Sequence, residues 1–379
     1  MRLIKLVVSF FGLLSALSVS AETSHELLKN LKARIQKLPG KEGRLIKSFT
    51  DHSQSYIYDQ ALAIIAFSQA GDKNSARSLL QGLQSLQLKD GSLYFSYYMD
   101  GKSPYPTEGD KRFAGAIAWV ALSAAHYQKQ FKSKEFVNFN YKVLSHLKRE
   151  MKPIEVQGKK SLALRFAPKD VASAGFSYSN TAALEHNLDA YSAFKHFREL
   201  NPKARFDSEI EHLRGFILSM WDKNYSHFWS GATISDGRIN KSELYLDNQT
   251  WSLLALDESD LKGIKPTKAL ELNCETFLVK NHEGITGFMD SKPTRRPASS
   301  QFVWSEGTLG QVLAMKKMNF HCDDYKTEAF ISWVEKMKKH DGGIAYSTST
   351  PNKDFTTSSS VAGTAWLYFA QKGINPFQI

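Results

Sequence analysis

Five carboxylates sit at comparable places along the chain: Asp59, Glu185, Asp189, Asp247 and Glu306. Each lies at or near the start of an apolar stretch, as in Tyr58-Asp59-Gln60-Ala61-Leu62 and Asp247-Asn248-Gln249-Thr250-Trp251. Paired carboxyl groups suit the cleavage of an acetal. One protonates the leaving oxygen, and the other activates water or attacks the carbon. Glu185 and Asp189 are four residues apart, so on a helix they share a face, and proximity with burial would raise one pKa. His186 and Asn187 flank them as candidate binders of a hydroxyl or carboxylate, and Tyr58, Trp119, Trp229, Trp251, Trp304 and Tyr346 are candidate faces for a sugar ring. Glu306 stands between Trp304 and Gly307, where a glycine would permit close approach of a ligand. An acid at a helix start is also favoured as an N-cap or dipole partner whatever its function. Asp59, Glu185 and Glu306 lead the candidates, with Asp189 and Asp247 behind them, and burial decides which is acid and which is base.

Other chemistry lacks its signature. The chain has no G-x-x-x-x-G-K-[ST], no G-x-S-x-G and no H-E-x-x-H. His52, His186, His227, His321 and His340 are scattered without metal-ligand spacing, so neither a metal nor a cofactor is expected. Cys274 and Cys322 sit outside any C-x-x-C; they form a disulfide or remain as buried thiols. Ser358-Ser359-Ser360 reads as a helix N-cap cluster.

The elements that must position the acids recur. Apolar helices begin near Asp59, Gly115, Glu185, Asp247, Glu306 and Ser360, with steps of 56, 70, 62, 59 and 54 residues. A step near 60 holds two helices and two loops. The helices after these points, such as Ala61–Phe67 and Ala116–Ala125, are apolar nearly all round, as buried helices are. Between them lie segments with one apolar stripe: Asp72–Leu86, Lys134–Lys148, Asp207–Trp221, Thr267–Val279 and Asp323–Met337. Six alternating pairs predict an all-α fold with two concentric rings, an (α/α)6 toroid; an open α-solenoid is the alternative. Loops such as Asp90-Gly91-Ser92-Leu93-Tyr94-Phe95, Gly175-Phe176-Ser177-Tyr178 and Asp341-Gly342-Gly343-Ile344-Ala345-Tyr346 predict short strands or β-turns at one rim. Their aromatics either line a cleft or plug the mouth as core.

This arrangement resembles the six-hairpin glycosidase superfamily. The resemblance is carried by Tyr58-Asp59-Gln60-Ala61-Leu62, Glu185-His186-Asn187-Leu188-Asp189-Ala190-Tyr191, Asp247-Asn248-Gln249-Thr250-Trp251, Trp304-Ser305-Glu306-Gly307-Thr308 and Thr364-Ala365-Trp366 with Asn375-Pro376-Phe377. It spans nearly the whole chain after the first segment. It implies a sugar-active enzyme, with a polysaccharide or oligosaccharide hydrolysed in an axial cleft; no single member family is matched. A polysaccharide lyase on the same toroid, a non-catalytic carbohydrate-binding or envelope scaffold, and an isoprenoid-type α-toroid are the alternatives.

Composition bounds the rest. The 379 residues are 42% hydrophobic, 23% charged and 12% aromatic, which describes a globular protein with a large core. Residues 1–21 read as a signal peptide, with Arg2 and Lys5, an apolar run Leu6–Val19 too short to span a bilayer comfortably, and cleavage after Ala21. Residues 22–379 then form one toroid domain, periplasmic or secreted, without stable membrane insertion; an uncleaved anchor is the alternative. Net charge falls from +11 to +9 on cleavage. The excess is dispersed, which argues against nucleic acid and suggests mild attraction to an acidic glycan. A monomer is expected.

Overall fold

The computed structural model describes residues 24–104, 108–169, 177–292, 301–322 and 325–379. The signal segment, Gly175-Phe176 and Asp323 lie outside the described residues.

The described residues hold twelve helices. Six are inner: α2 (Ile57–Gln69), α4 (Ala114–Phe131), α6 (Leu184–Leu200), α8 (Leu246–Ala255), α10 (Ser305–Met318) and α12 (Val361–Lys372). Six are outer: α1 (24–33), α3 (Lys73–Leu86), α5 (Val137–Glu150), α7 (Asp207–Ser219), α9 (Pro266–Phe277) and α11 (Thr327–Glu335). The two sets differ as their sequences do. Every residue of α4 from Ala114 to Tyr127 is buried, whereas α3 buries little more than the stripe Ala76, Leu79, Leu80, Leu83 and Leu86.

The inner helices pack in chain order, and α12 packs on α2, so the ring closes and the solenoid alternative is excluded. Hydrogen bonds at the helix starts complete the same circle. The first backbone N–H of each inner helix donates to a loop carbonyl of the next repeat: Ile57 to Phe95, Ala114 to Phe166, Leu184 to Ser230, Leu246 to Asp290 and Ser305 to Tyr346. The last, Val361, returns to Ser48 at 2.9 Å. These bonds satisfy donors that a helix end otherwise leaves unpaired.

A second set of contacts fixes the register of the loops. The fourth residue of an inner helix bonds the backbone of a segment that runs beside the helix start. Asn187 accepts from Leu164 N (2.8 Å) and donates to Leu164 O, and Gln249 does the same at Phe228 (2.7 and 2.8 Å). Thr308 and Thr364 accept from Phe288 N and Ile344 N at 2.9 and 3.0 Å.

The expected short strands are present as two-stranded antiparallel ribbons, including Gln54–Tyr56 with Ser96–Tyr98 and Thr181–Ala183 with Gly231–Thr233. One hairpin, Met151–Val156 with Lys159–Leu164, was not anticipated; it fills the longest step, between Gly115 and Glu185. Cys274 and Cys322 form a disulfide with a Cα separation of 5.7 Å, which settles the cysteine question. Ser360 caps α12, its hydroxyl accepting from Gly363 N.

The opposite end of the axis is closed by the C-terminal tail. Phe377 is fully buried and packs against Trp119 and Trp251, with ring centroids 4.9 and 5.5 Å away. His126 and His196 donate from Nε2 to the carbonyls of Pro376 and Phe377 at 2.9 and 2.8 Å. Burial of such a phenyl ring contributes roughly 1.5–3 kcal/mol.

Candidate active site

At the N-terminal ends of the inner helices the toroid opens into a cavity of about 480 Å³. Asp59, Glu185, Asp189, Asp247 and Glu306 all line it. Asp59, Glu185, Asp247 and Glu306 each fall in the first turn of their helix, and Asp189 lies one turn deeper in α6. Capping does not explain them. The N-cap positions are Tyr56, Ala183, Tyr245 and Trp304, and none of these four helices has a side-chain cap. The neighbouring loop carbonyls take that role, which leaves the acids to face the cavity.

Burial dominates their protonation, because a carboxylate removed from water is disfavoured. Glu306 is pushed up to about 8 by burial; the hydroxyl of Tyr58 donates to its Oε1 and works against the rise. That hydroxyl in turn accepts from the Trp366 indole N–H at 3.0 Å. Asp59 rises to about 7 through burial, opposed first by a hydrogen bond with Ser48 and then by the charge of Arg34. Arg34 is itself buried and held by Asp341 at 2.9 Å. Glu185 and Asp247 are hydrogen-bonded to each other. Burial raises both, and the bond favours the proton on Asp247 and the charge on Glu185. Asp189 lies well above its usual range, through burial and then the nearby Glu185 and Asp247 charges. At neutral pH the cluster therefore offers both protonated and ionised carboxyls in one basin.

Histidine and aromatics complete the wall. His186 Nε2 is 3.4 Å from Glu185, its ring lies against Phe166, and burial lowers its pKa to about 3, so it is neutral. Tyr58, Trp119, Trp251, Trp304 and Tyr346 line the cavity as expected. The indole N–H groups of Trp119 and Trp304 are buried, the first directed at Asp189 and the second at Tyr346.

Three expectations need correction. Asn187 does not reach the cavity; its amide is spent on Leu164 and Ala183. Trp229 lies outside the lining, its N–H donating to Asp222 at 3.1 Å and its ring beneath Lys241. Gly307 makes room for its own neighbour rather than for a ligand, since a Cβ there would stand 2.2 Å from the Trp304 ring. Lining residues missed in the sequence are Phe49, His52 and the segment Lys353–Thr356 from loops, and Tyr56 at the end of a strand. Phe355, stacked on Tyr346 at 5.6 Å, narrows the mouth.

No family model and no curated protein sequence matches the chain. Solved structures do. The cellobiose 2-epimerase of Bacillus thermoamylovorans superposes with a TM-score of 0.70 at 11% identity, over 94% of this chain and 99% of that one. A sugar epimerase from a ruminal bacterium gives 0.68 at 10% identity, over 94% and 99%. The GH76 α-mannanase of Bacteroides thetaiotaomicron gives 0.63 at 12% identity, over 94% and 95%. At these identities the likeness is one of fold. The chain has the six-hairpin (α/α)6 toroid that these carbohydrate-active enzymes share.

Proposed function

We propose that the protein is a glycoside hydrolase acting on a polysaccharide or oligosaccharide in the axial cavity. The observation that carries this reading is the convergence of five carboxyls from four inner helices, in mixed protonation states, on one aromatic-walled basin. Glu306, protonated at neutral pH, is assigned as the acid that gives its proton to the leaving oxygen. Glu185, whose charge is favoured by Asp247, is assigned as the carboxylate that activates water or attacks the anomeric carbon. Asp59 is held beside Ser48 as a further proton store.

Epimerisation is the second reading, supported by the epimerase neighbours and by His186 in the wall. It needs a base able to take a proton beside a carbonyl, and a histidine with a pKa near 3 is a weak one. A lyase would need a cation to neutralise the substrate's carboxylate, yet Lys353 at the mouth is the sole Lys or Arg among the described lining residues. That sign also counts against an acidic glycan, which the overall charge had suggested.

The test is product analysis on a panel of neutral, acidic and amino-substituted glycans. Reducing ends appearing as the chain shortens support hydrolysis. An isomer of unchanged mass supports epimerisation, and ultraviolet-absorbing unsaturated ends support elimination.

Secretion or a periplasmic location, with cleavage after Ala21 and a monomeric mature chain, is part of the same proposal. It rests on the pattern of residues 1–21 and on the disulfide, a bond that persists in oxidising compartments. N-terminal sequencing of the exported protein tests it; a chain still beginning at Met1 contradicts it.

A further inference from the structure

A buried cation sits in the seam where the ring closes. Arg34 directly follows α1 and is 7% exposed. Its Nη1 donates to the carbonyls of Ser359 at 3.1 Å and Ser48 at 3.4 Å. Its Nη2 donates to the Ser359 hydroxyl and to Asp341 Oδ2, the latter at 2.9 Å. Gly343 makes room for the guanidinium, since a Cβ there would stand 2.7 Å from Nη2. Backbone bonds already tie the same seam: Val361 N to Ser48 O at 2.9 Å and Thr50 N to Ser359 O at 3.2 Å. A guanidinium taken out of water is costly, and a neutral donor would serve the tie as well. Ser48 connects this charge to the cavity. Its carbonyl accepts from Arg34, and its hydroxyl, which accepts from Tyr56 N at 2.8 Å, donates to Asp59. The counter-ion Asp341 has a side chain 24% exposed against 7% for Arg34. Water screens the carboxylate more than the guanidinium, so a net positive field reaches Asp59.

We propose that Arg34 is a positioning residue of the site: seated behind Ser48, it makes Asp59 the member of the Asp59–Glu306 pair that gives up its proton first, and so leaves Glu306 protonated. This deepens the glycoside reading and rests on its assignment of Glu306 as the acid. Burial raises both carboxyls, and their neighbours decide between them. The Ser48 hydroxyl, the Arg34 charge and the Ala362 backbone N–H all favour an ionised Asp59. Toward the cavity Asp59 faces Glu306 and Tyr346. Burial raises these two most, and the charge of Asp59 raises them further. An ionised Asp59 therefore holds the proton on Glu306, and the cation that favours this order touches neither substrate nor cavity.

The test is a carbon-13 NMR titration of the full chain labelled at the aspartate carboxyls, with the Asp59 signal identified by its loss in Asp59→Asn. The parent midpoint is expected at about 7. Arg34→Met removes the charge and should raise that midpoint by about one unit or more. A role limited to tying the seam predicts the opposite sign, because a loosened seam admits water and lets the midpoint fall toward that of an exposed aspartate. A fall or no change in Arg34→Met overturns the proposal. Should that variant not fold, two others decide. Arg34→Lys keeps the charge and should hold the midpoint within about half a unit of the parent, whereas Asp341→Asn removes the counter-ion and should lower it by about half a unit or more. A fall in Arg34→Lys, or no fall in Asp341→Asn, overturns the proposal. The titration needs no substrate. An unmoved midpoint would remove this inference and leave glycan hydrolysis standing, while a glycan panel without cleavage would remove the role given to Glu306 and leave the titration standing.

Discussion

Tyr58 on α2 donates its phenolic hydrogen to Glu306 on α10, a contact between residues 248 apart in sequence. The bond crosses the mouth of the toroid and ties the first inner helix to the fifth. It favours the ionised form of Glu306 and holds down a pKa that burial raises. Tyr58→Phe removes that restraint and leaves Glu306 as the remaining partner of the Trp366 N–H. The alkaline limb of kcat/KM should move upward from about pH 8, and kcat should fall roughly ten- to hundredfold, the equivalent of one hydrogen bond to a charged group. A pH–rate profile checks this; an unmoved alkaline limb detaches Tyr58 from the acid.

The buried acids set a direction for stability against pH. Asp59 and Glu306 have folded pKa values of about 7 and 8, above those of an unfolded chain. Between the unfolded and folded values the native state binds more protons, so each stabilises less as pH rises through that window. Buried His126 and His186 act oppositely. Their pKa values of about 4 and 3 make stability rise with pH until the unfolded imidazoles have lost their protons, a slope half spent at about pH 6.5 and gone by about pH 7.5. Above about pH 7.5 the carboxyl slope stands alone, and Tm should decline from pH 7.5 to 8.5. The decline should be smaller in Glu306→Gln, which thermal melts across that range will show.

Gly115 brings α4 against the cavity-facing side of α6. A Cβ at this position would lie 2.4 Å from His186 Cδ2 as well as close to Asp189. Gly115→Ala should cost roughly 1–3 kcal/mol through overpacking, despite the better helix propensity of alanine. It should lower activity more than a surface substitution of equal stability cost. Denaturant melts and kinetics on the same sample measure both.

The Cys274–Cys322 disulfide joins α9 to the segment that follows α10, away from the cavity. Its removal by Cys274→Ser with Cys322→Ser should destabilise by about 2–4 kcal/mol. Activity at 25 °C should stay within twofold of the parent. A large loss of activity in a still-folded variant would show that the bond shapes the site.

The fold was legible because its signal is repeated: each inner helix is apolar all round, each has a striped partner, and the spacing recurs. Four of the acids were legible because each sits in the first turn of its inner helix, and Asp189 because it follows Glu185 by four residues. What single-sequence reading could not resolve was side-chain direction around those positions. Glu185 and Asp189 share the cavity face, while Asn187, two residues from either at 3.6 residues per turn, points away to the backbone of Leu164. Trp229 misled for a related reason: its loop is aromatic, but a partner for its N–H in Asp222 turns it from the mouth. Phe49, His52 and Phe355 carry no local signal at all. They reach the cavity only because α12 closes on α2 and brings the two ends of the chain together. The hairpin of Met151–Val156 with Lys159–Leu164 lies in the longest step between inner helices, a stretch for which helical periodicity carries no signal.

In the proposed reaction Glu306 acts as the acid and Glu185 as the carboxylate on a glycosidic bond. The most direct measurement is the rate of reducing-end formation by Glu306→Gln and Glu185→Gln on the best glycan of the panel, with Tm recorded for each. In both, kcat is expected to fall by about 10²–10⁴, with Tm at pH 7 equal to or above that of the parent, because each change replaces a buried acid with a neutral amide. Either variant retaining more than a tenth of parental kcat, while folded, would contradict it.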